Sequence, residues 1–415
     1  MFDIQAAVRE RLIRYAKIGT QSKPDCVVWP TTDCQRELAE MLFEELHGLG
    51  CVDVFYDEVA CVVYAKIPPR LPDGAEDEPF GLIAHMDTSP DVPGSDVRPW
   101  VLEHYDGGDI LLNEADDIWM RAKDFPNLAQ YVGQDLVLTD GTTLLGGDDK
   151  ASIAAIVTLT EYYQKHPEEP HGTVCLAFTP DEEVGGLARD LDLERFGAPV
   201  GYTLDGDHIG WYQEQTFNAA QAYIDITGRS VHPGTAKDIM VNAADLLTEL
   251  LAMLPKQERP QYTEGLEGFY HVILCQADCE RGFARIIIRD FNRKSFERRE
   301  SYLRACVSRL NREYGERVTM RLEEEYRNMG EILKDHPYLI ERLRLAIEDS
   351  GLDPHTEPFR GGTDGASLTY RGLPCPNLSA GYENAHSRFE YVPVQSMAKN
   401  VEILRHLCAL FCQMP

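Results

Sequence analysis

Basic residues are scarce in this sequence, which has 40 Lys and Arg residues against 69 Asp and Glu residues and a formal net charge of −29. Proteins that bind nucleic acid or an anionic membrane need clustered positive charge, so this balance argues against both partners. No apolar run reaches the length that spans a bilayer. The opening MFDIQAAVRERLIRYAKIG carries charges throughout, so we expect an amphipathic helix there and not a signal peptide.

The sequence also lacks C-x-x-C pairs, internal repeats and low-complexity segments. Its 11 cysteines are odd in number, and several lie inside apolar runs, as Cys61, Cys175 and Cys275 do. Such cysteines are typical of reduced, buried thiols in a cytoplasmic protein, and they argue against a disulfide framework.

The length of 415 residues predicts two domains. In the first part of the chain, a helical pattern over KASIAAIVTLTEYYQKH lies between the strand-like runs DLVLT and TVCLAFT. Strand, helix and strand at this spacing predict an α/β fold with a mixed, mostly parallel sheet flanked by helices. The long polar stretch between His85 and Asp135 has little periodicity, which favours a functional loop or part of a lid.

The pattern changes at about Asn218 to strand, helix, strand, strand, helix, strand. This β-α-β-β-α-β order is the ferredoxin-like pattern of a compact α+β unit. The α/β character resumes after Asn328. We therefore predict a discontinuous domain of residues 1–214 and 329–415, into which a domain of residues 215–328 is inserted.

Side chains that can bind metal collect where strand-like runs end and at two further turns. They are His85 and Asp87 after GLIA, Asp181, Glu182 and Glu183 after TVCLAFT, Asp205 at the end of GYTLD, Asp148 and Asp149 in GGDDK, and His386 in NAHS. The carboxyl ends of parallel strands meet at one edge of an open sheet, where ligands bind. His and carboxylate ligands together suit Zn, Mn or Co ions. One or two divalent cations would also offset the repulsion between the crowded carboxylates.

Each of these residues has an ordinary structural explanation when it is considered singly. His85 fits a hydrogen-bonded core histidine. Asp148 and Asp149 fit the cap of a helix, where the helix dipole stabilises negative charge. Glu182 and Glu183 fit a solvated turn. These explanations do not account for five strand ends and turns that all present metal-ligand side chains, so the metal site is the preferred interpretation.

A series of motifs covers essentially the whole chain: HMDTSP, YDGGDILLNE, GQDLVLTDGTTLLGGDDKAS, FTPDEEVGG, YTLDGD, FNAAQAYIDITGRSVHPGTAKD, IIRDFNR, RGGTDGASL and NAHSRFEYV. Together they resemble the M20 family of metallopeptidases, and within it the tripeptide aminopeptidases. The stretch from YDGGDI to GGDDKA carries the narrower resemblance. The resemblance implies a fold of the zinc-exopeptidase type, in which the inserted domain is a lid and also forms a homodimer contact.

The resemblance also implies two Zn²⁺ ions per chain, for which Co²⁺ or Mn²⁺ could substitute. Asp148 would bridge the two ions. His85 and Asp205 would bind one of them. Glu183 and His386 would bind the other.

Catalytic roles follow from the same resemblance. Glu182 would be the general base that takes a proton from the attacking water. Asp87 would orient the ring of His85, as carboxylates beside metal-binding histidines usually do. One of two adjacent glutamates would thus bind metal while the other moves protons.

Substrate-binding residues are implied mainly in the inserted domain. His232 would stabilise the oxyanion of the tetrahedral intermediate. Arg289 and Arg360 would bind the terminal carboxylate or backbone of the peptide, since guanidinium groups bind carboxylates in a bidentate manner. Asn218 is a further candidate at the hinge or the substrate side.

Three positions depart from the family pattern: Gly147 stands where Ala is expected, Ser152 where Gly is expected, and Asp207 where Gly is commoner. None of them removes a metal ligand or the base. Asp207 adds a negative charge near the site, which we expect to affect substrate preference and not metal binding.

The sequence therefore predicts a cytoplasmic dizinc aminopeptidase that releases the N-terminal residue from tripeptides. One alternative is another M20-type activity, either a dipeptidase or an N-acyl amino acid amidohydrolase, and the long segment of residues 88–135 argues against it. The other is a non-catalytic metal-binding scaffold, which the complete set of ligands and base disfavours. Small peptides are the expected partners, with no nucleic acid and no membrane.

Overall fold

The computed structural model describes residues 2–413. The chain forms two compact units, of which the first comprises the chain up to Glu214, Ile332–Glu357 and the chain from Thr363, and the second comprises Gln215–Glu331 and Pro358–Gly362. Within the described residues, no helix is both long and apolar enough to cross a membrane.

The unit boundaries differ from the predicted ones at residues 329–331 and 358–362, which the structure assigns to the second unit. The later segment returns to this unit through backbone pairing. The N–H of Phe359 donates to the carbonyl of Gln215 at 2.9 Å, and the N–H of Phe217 donates to the carbonyl of Gly361 at 3.3 Å. Pairing between segments so distant in sequence leaves no periodic signal in the sequence.

The helices of the described chain are α1 (Ile4–Ala16), α2 (Gln35–Gly48), α3 (Gly147–Lys165), α4 (Leu193–Phe196), α5 (Ala243–Met253), α6 (Arg293–Tyr314), α7 (Gly330–Leu333), α8 (Pro337–Asp349), α9 (Asp364–Tyr370) and α10 (Val394–Leu410). Its strands are β1 (Val52–Asp57), β2 (Val62–Ile67), β3 (Glu76–Asp77), β4 (Phe80–His85), β5 (Trp100–Leu102), β6 (Ile110–Asn113), β7 (Ile118–Met120), β8 (Leu136–Leu138), β9 (Val174–Thr179), β10 (Gly201–Leu204), β11 (Trp211–Gln213), β12 (Asn218–Thr227), β13 (Phe269–Ala277), β14 (Arg281–Asp290), β15 (Val318–Tyr326), β16 (His355–Thr356), β17 (Asn377–Leu378), β18 (Val392–Pro393) and β19 (Cys412–Gln413).

The first unit is built on an eight-stranded sheet with the strand order β1-β2-β9-β4-β10-β17-β11-β16. The central strands β9, β4, β10 and β17 run parallel to one another. Antiparallel strands flank them on both sides. On one side β2 pairs antiparallel with β1 and with β9, and on the other side β11 pairs antiparallel with β17. The predicted α/β class with a mixed sheet is thus confirmed.

Helices cover the central strands, which explains why β4 and β9 are buried along their whole length. All six residues of β4 and all six of β9 are buried, as expected for parallel strands with helices on the sheet faces. Helix α3 contacts β4, and α1, α3 and α10 contact one another. A separate cluster joins α4 and α9 to the sheet and includes Ile83, Cys175, Phe196 and Leu368.

The register of the central strands brings their carboxyl ends together. His85, the last residue of β4, pairs with Thr179, the last residue of β9. On the other side of β4, Ile83 pairs with Thr203 of β10. The chain segments that leave β4, β9 and β10 therefore emerge side by side at one edge of the sheet, as expected from the sequence.

The stretch between His85 and Asp135, predicted as a functional loop or part of a lid, contains the short strands β5, β6 and β7. Strand β5 joins β8 and β18 in a three-stranded sheet, and β6 pairs with β7. Its apolar residues, such as Tyr105 and Met120, form one buried cluster with β8 and Tyr391. Strands of three or four residues are too short to show periodicity, so the sequence did not reveal them.

The second unit has a four-stranded sheet with the order β13-β14-β12-β15, antiparallel throughout. Helices α5 and α6 both pack on β14. Alternate residues of β14 are buried because the helices cover one face of the sheet. The core between the helices and the sheet includes Ile224, Leu250, Ile286 and Leu303.

Candidate metal centre

Five side chains reach the edge of the sheet from five different parts of the first unit. His85 ends β4, Glu183 lies in a 3₁₀ turn after β9, and Asp205 follows β10 directly. Asp148 lies in the first turn of α3, and His386 lies in the segment between β17 and β18. These are the five residues that the family resemblance names as metal ligands.

Asp148 is shared between two groups of ligand atoms. Its Oδ1 lies 3.1 Å from Nε2 of His85, and its Oδ2 lies 3.3 Å from Nε2 of His386. The first group consists of His85, Asp148 and Asp205, and the second of Asp148, Glu183 and His386, with the ligand atoms of each group within 4.8 Å of one another. A carboxylate that presents one oxygen to each group has the arrangement needed to bridge two ions.

The chemistry of these atoms fits divalent cations. Each group supplies one imidazole nitrogen and carboxylate oxygens, the donor set of catalytic zinc and related metals. Oε1 of Glu183 is buried without a hydrogen-bond partner in the described structure. Buried polar atoms are rarely left unsatisfied. The residues present therefore fit a pair of metal ions.

The pKa values of these side chains also indicate a metal site. Burial raises the pKa of Glu183 to about 8, with the charge of Asp148 adding to the effect. Burial and Asp148 likewise raise the pKa of Asp205. Hydrogen bonds to Asp148 and Glu183 raise the pKa of His386 to about 12. The site thus concentrates buried acids that need positive counter-charge, which divalent ions supply.

Asp87 holds the turn that carries the two glutamates. Its carboxylate accepts the backbone N–H of Glu182 at 2.9 Å and that of Glu183 at 3.2 Å. Its Oδ1 also lies 3.3 Å from Nδ1 of His85. The carboxylate of Glu182 belongs to neither ligand group among the described residues. The two glutamates therefore differ in surroundings although they are adjacent in sequence.

Asp181, the acid directly before Glu182, has a structural role. It is buried and accepts hydrogen bonds from the backbone N–H of Thr31 at 2.8 Å and from Nε2 of Gln35 at 2.7 Å, as well as from the Thr31 hydroxyl. These bonds tie the turn after β9 to the segment that leads into α2. Asp181 therefore anchors the turn that presents Glu182 and Glu183.

With this geometry established, comparison with known proteins assigns the family. Residues 145–409 match the family model described as "Peptidase family M20/M25/M40". A protein named Peptidase T from Alkaliphilus oremlandii is 44% identical over 403 residues, which cover 97% of this chain and 98% of that protein. The chain belongs to peptidase family M20.

Solved structures support the fold of this M20 peptidase. The aminopeptidase PepT from Bacillus cereus and a tripeptidase from Staphylococcus aureus each give a TM-score of 0.78, at 22% and 20% identity, and each comparison covers 98% of both chains. A Bacillus subtilis protein described as a dinuclear metal-binding M20 peptidase gives a TM-score of 0.66 at 12% identity over 98% of both chains.

Several residues of the centre of this M20 peptidase were missed in the sequence analysis. The Tyr382 hydroxyl donates to Oδ1 of Asp205 at 2.6 Å. Oδ2 of Asp91 lies 3.1 Å from Nδ1 of His386, and buried Asp364 accepts from the Thr179 hydroxyl at 2.7 Å. All three lie in or next to the quoted motifs, but their contacts join segments that are distant in sequence.

One departure from the family pattern has a structural reason. A Cβ on Gly147 would lie 2.4 Å from Cγ2 of Val392 and 3.0 Å from Oε1 of Glu390. No side chain fits there without a shift of these neighbours. Ser152 is buried within α3. Burial raises the pKa of Asp207 to about 6, and the nearby carboxylate of Glu383 adds to this effect.

His232 and Arg289 lie in the second unit. Nδ1 of His232 accepts the backbone N–H of Gly234 at 3.1 Å, so this ring nitrogen carries no proton and Nε2 is the donor. His232 itself is exposed. The guanidinium of Arg289 forms an ion pair with Glu325 at 2.8 Å. The substrate contacts of both side chains stay predictions.

Arg360 and Asn218 make several hydrogen bonds inside the second unit. Arg360 donates to the carbonyls of Gly265 and Glu267 at 2.6 and 3.0 Å. Buried Asn218 donates to the carbonyls of Asp290 and Phe291, each at 3.1 Å, and its Oδ1 accepts from the backbone N–H of residue 328. These bonds give Asn218 a structural role where the chain enters and leaves the unit. Substrate contacts of Arg360 and Asn218 stay predictions.

Proposed function

We propose that this M20 peptidase is a dizinc aminopeptidase that releases the N-terminal residue from tripeptides. Its extended similarity to Peptidase T, at 44% identity over 97% of the chain, supports this activity over the other M20 activities. The single structural observation that carries the proposal is the position of Asp148, whose two carboxylate oxygens face His85 and His386.

Bound metal would supply the activation of water. Two divalent ions held by these ligand groups would lower the pKa of the attacking water and polarise the scissile carbonyl. The residues around them fix the ligands in place. Asp87 holds the ring of His85 and the turn with Glu183, and the Tyr382 hydroxyl orients the carboxylate of Asp205.

Glu182 is assigned the proton transfers. Its backbone is fixed by Asp87, and its carboxylate is within electrostatic range of His85 and Asp205. The hydroxide part of the water adds to the carbonyl carbon, and Glu182 takes the released proton. The C–N bond then breaks, and Glu182 delivers the proton to the nitrogen of the leaving amine.

The second unit is proposed to complete the site as a lid. Nε2 of His232 is the expected donor to the oxyanion. Arg289 and Arg360 are expected to recognise the carboxyl end of the peptide, which would limit the substrate length. We also propose a homodimer contact through this unit, and a cytoplasmic location in which the 11 cysteines stay reduced.

A comparison of substrates tests the activity. The purified protein is assayed with Ala-Ala-Ala, its N-acetylated form, Ala-Ala and a longer alanine peptide, with added Zn²⁺, Co²⁺ or Mn²⁺ and with a chelator. We expect chelator-sensitive cleavage of the free tripeptide and little attack on the other three. Preferred cleavage of the acetylated peptide or of Ala-Ala would contradict the tripeptidase activity and support another M20 activity.

A further inference from the structure

Glu390 is a buried acid that belongs to neither ligand group among the described residues. Its carboxylate accepts three backbone N–H groups. Oε2 accepts from Leu145 at 2.9 Å and from Gly146 at 2.8 Å, and Oε1 accepts from Asp148 at 2.8 Å. One side chain thus accepts three of the four backbone N–H groups of the loop of residues 145–148, which leads into the regular part of α3.

The backbone of this loop needs such a partner. Gly146 has a φ of 80°, and Asp148 has a ψ of 98°, which is outside the helical range although Asp148 is in the first turn of α3. The N–H groups of this loop would otherwise be buried without a partner, which is unfavourable for each group. A carboxyl group has two oxygens, so one side chain can accept several N–H groups at once.

The position of the loop determines where the bridging carboxylate lies. Both oxygens of Asp148 face a histidine, at 3.1 and 3.3 Å. A side chain that must serve two ligand groups tolerates little displacement of its backbone. Close packing limits the loop further, since a Cβ on Gly147 would approach Oε1 of Glu390 to 3.0 Å.

We propose that Glu390 is a positioning residue for the metal centre, which holds the loop of residues 145–148 so that Asp148 is set between the two ions before they bind. This role rests on the proposed dimetal function. It is distinct from ligand binding, because Glu390 acts on the backbone of a ligand. Loss of Glu390 should therefore weaken the binding of both ions.

The variant E390Q tests this role. An amide keeps the shape of the side chain, but its nitrogen cannot accept the N–H groups that the second carboxylate oxygen accepts. We expect the affinity for Zn²⁺, measured by competition with a chromogenic chelator, to fall by about 10–100-fold, the usual range for residues that support metal ligands. The loss should affect both ions.

E383Q is the matched control. Glu383 is also buried and lies in the same segment, but its side chain contacts His208, Asn127 and Tyr131, none of which belongs to the loop of residues 145–148. We expect E383Q to bind Zn²⁺ as the wild type does, even where its thermal stability falls. A metal affinity lowered equally in both variants would show a general structural effect and overturn the positioning role.

A measurement on the wild type decides the case in which E390Q does not fold. Amide hydrogen exchange is recorded on peptides spanning residues 144–149 of the metal-free protein. Protection of these amides without metal is expected if Glu390 holds them, and free exchange would overturn the proposal. E390Q with wild-type Zn²⁺ affinity would overturn it as well. A wild type that binds no metal would instead contradict the proposed function.

Discussion

The adjacent residues Glu182 and Glu183 are expected to respond differently to the same substitution. E182Q should keep two bound ions and lose about 10²–10⁴-fold in kcat, the usual contribution of a general base. E183Q should lose metal, because Glu183 belongs to a candidate ligand group with Asp148 and His386. Metal analysis and steady-state kinetics on both variants distinguish the two roles.

Two results would contradict these separate roles of Glu182 and Glu183. If E182Q bound fewer ions than E183Q, the two assignments would have to be exchanged. If E182Q kept its full kcat, another group would have to move the proton. Buried Asp364, which lies within electrostatic range of Glu182, would be the next residue to substitute.

The buried charges also give a pH dependence of stability. The pKa of Glu183 is raised from its ordinary value of 4.5 to about 8, and that of His386 from 6.5 to about 12. The folded chain therefore binds more protons than the unfolded chain in these intervals, so the stability of the metal-free protein falls as the pH rises from about 4.5 to about 8. Metal ions compete with protons for the ligands and bind better at higher pH.

We therefore expect the difference in Tm between metal-loaded and metal-free protein to widen as the pH rises. The check is thermal unfolding with and without chelator at several values from about pH 5 to about pH 8. A difference that stays constant or narrows over this range would contradict the assignment of these groups as metal ligands.

At the scale of elements, the start of α3 depends on close packing at Gly147. The variant G147A introduces a Cβ at 2.4 Å from Cγ2 of Val392, so we expect a loss of stability of about 1–3 kcal/mol together with weaker metal binding. G48A is the control, since a Cβ on Gly48 meets nothing within 4 Å. Thermal unfolding and metal titration measure both effects.

The double variant G147A/V392A separates a steric effect from other causes. Truncation of Val392 removes the contacting methyl group, so metal affinity should recover in part relative to G147A alone. If G147A matched the wild type in stability and metal affinity, the packing at the start of α3 would not control the position of Asp148.

The elements that the sequence predicts well are those with long periodic patterns. The buried strands β4 and β9 and the helix α3 were all found, and three of the five candidate ligands, His85, Glu183 and Asp205, lie at or shortly after strand ends. The short strands β5, β6 and β7 were missed because three or four residues show no periodicity. The hydrogen bonds of Asp181 and Glu390 could not be predicted because their partners, such as Thr31 and Leu145, are more than a hundred residues away.

At the scale of the whole molecule, the proposed function requires the second unit as well as the first. The variant H232A should leave the count of bound ions unchanged and lower kcat by about 10²–10³-fold, as the loss of one oxyanion donor does. H271A is the matched control, because His271 is an exposed histidine on β13 of the same unit. Equal kcat for H232A and the wild type would contradict the oxyanion role of His232.

The proposed function depends most on Asp148 as the bridge between two metal ions. The most direct measurement is the anomalous diffraction of crystals of the Zn²⁺-loaded protein, recorded at the zinc absorption edge. We expect two peaks about 3.5–4 Å apart, one beside His85 and Asp205 and the other beside Glu183 and His386, with Asp148 between them. A single peak, or peaks away from Asp148, would rule out this bridging role.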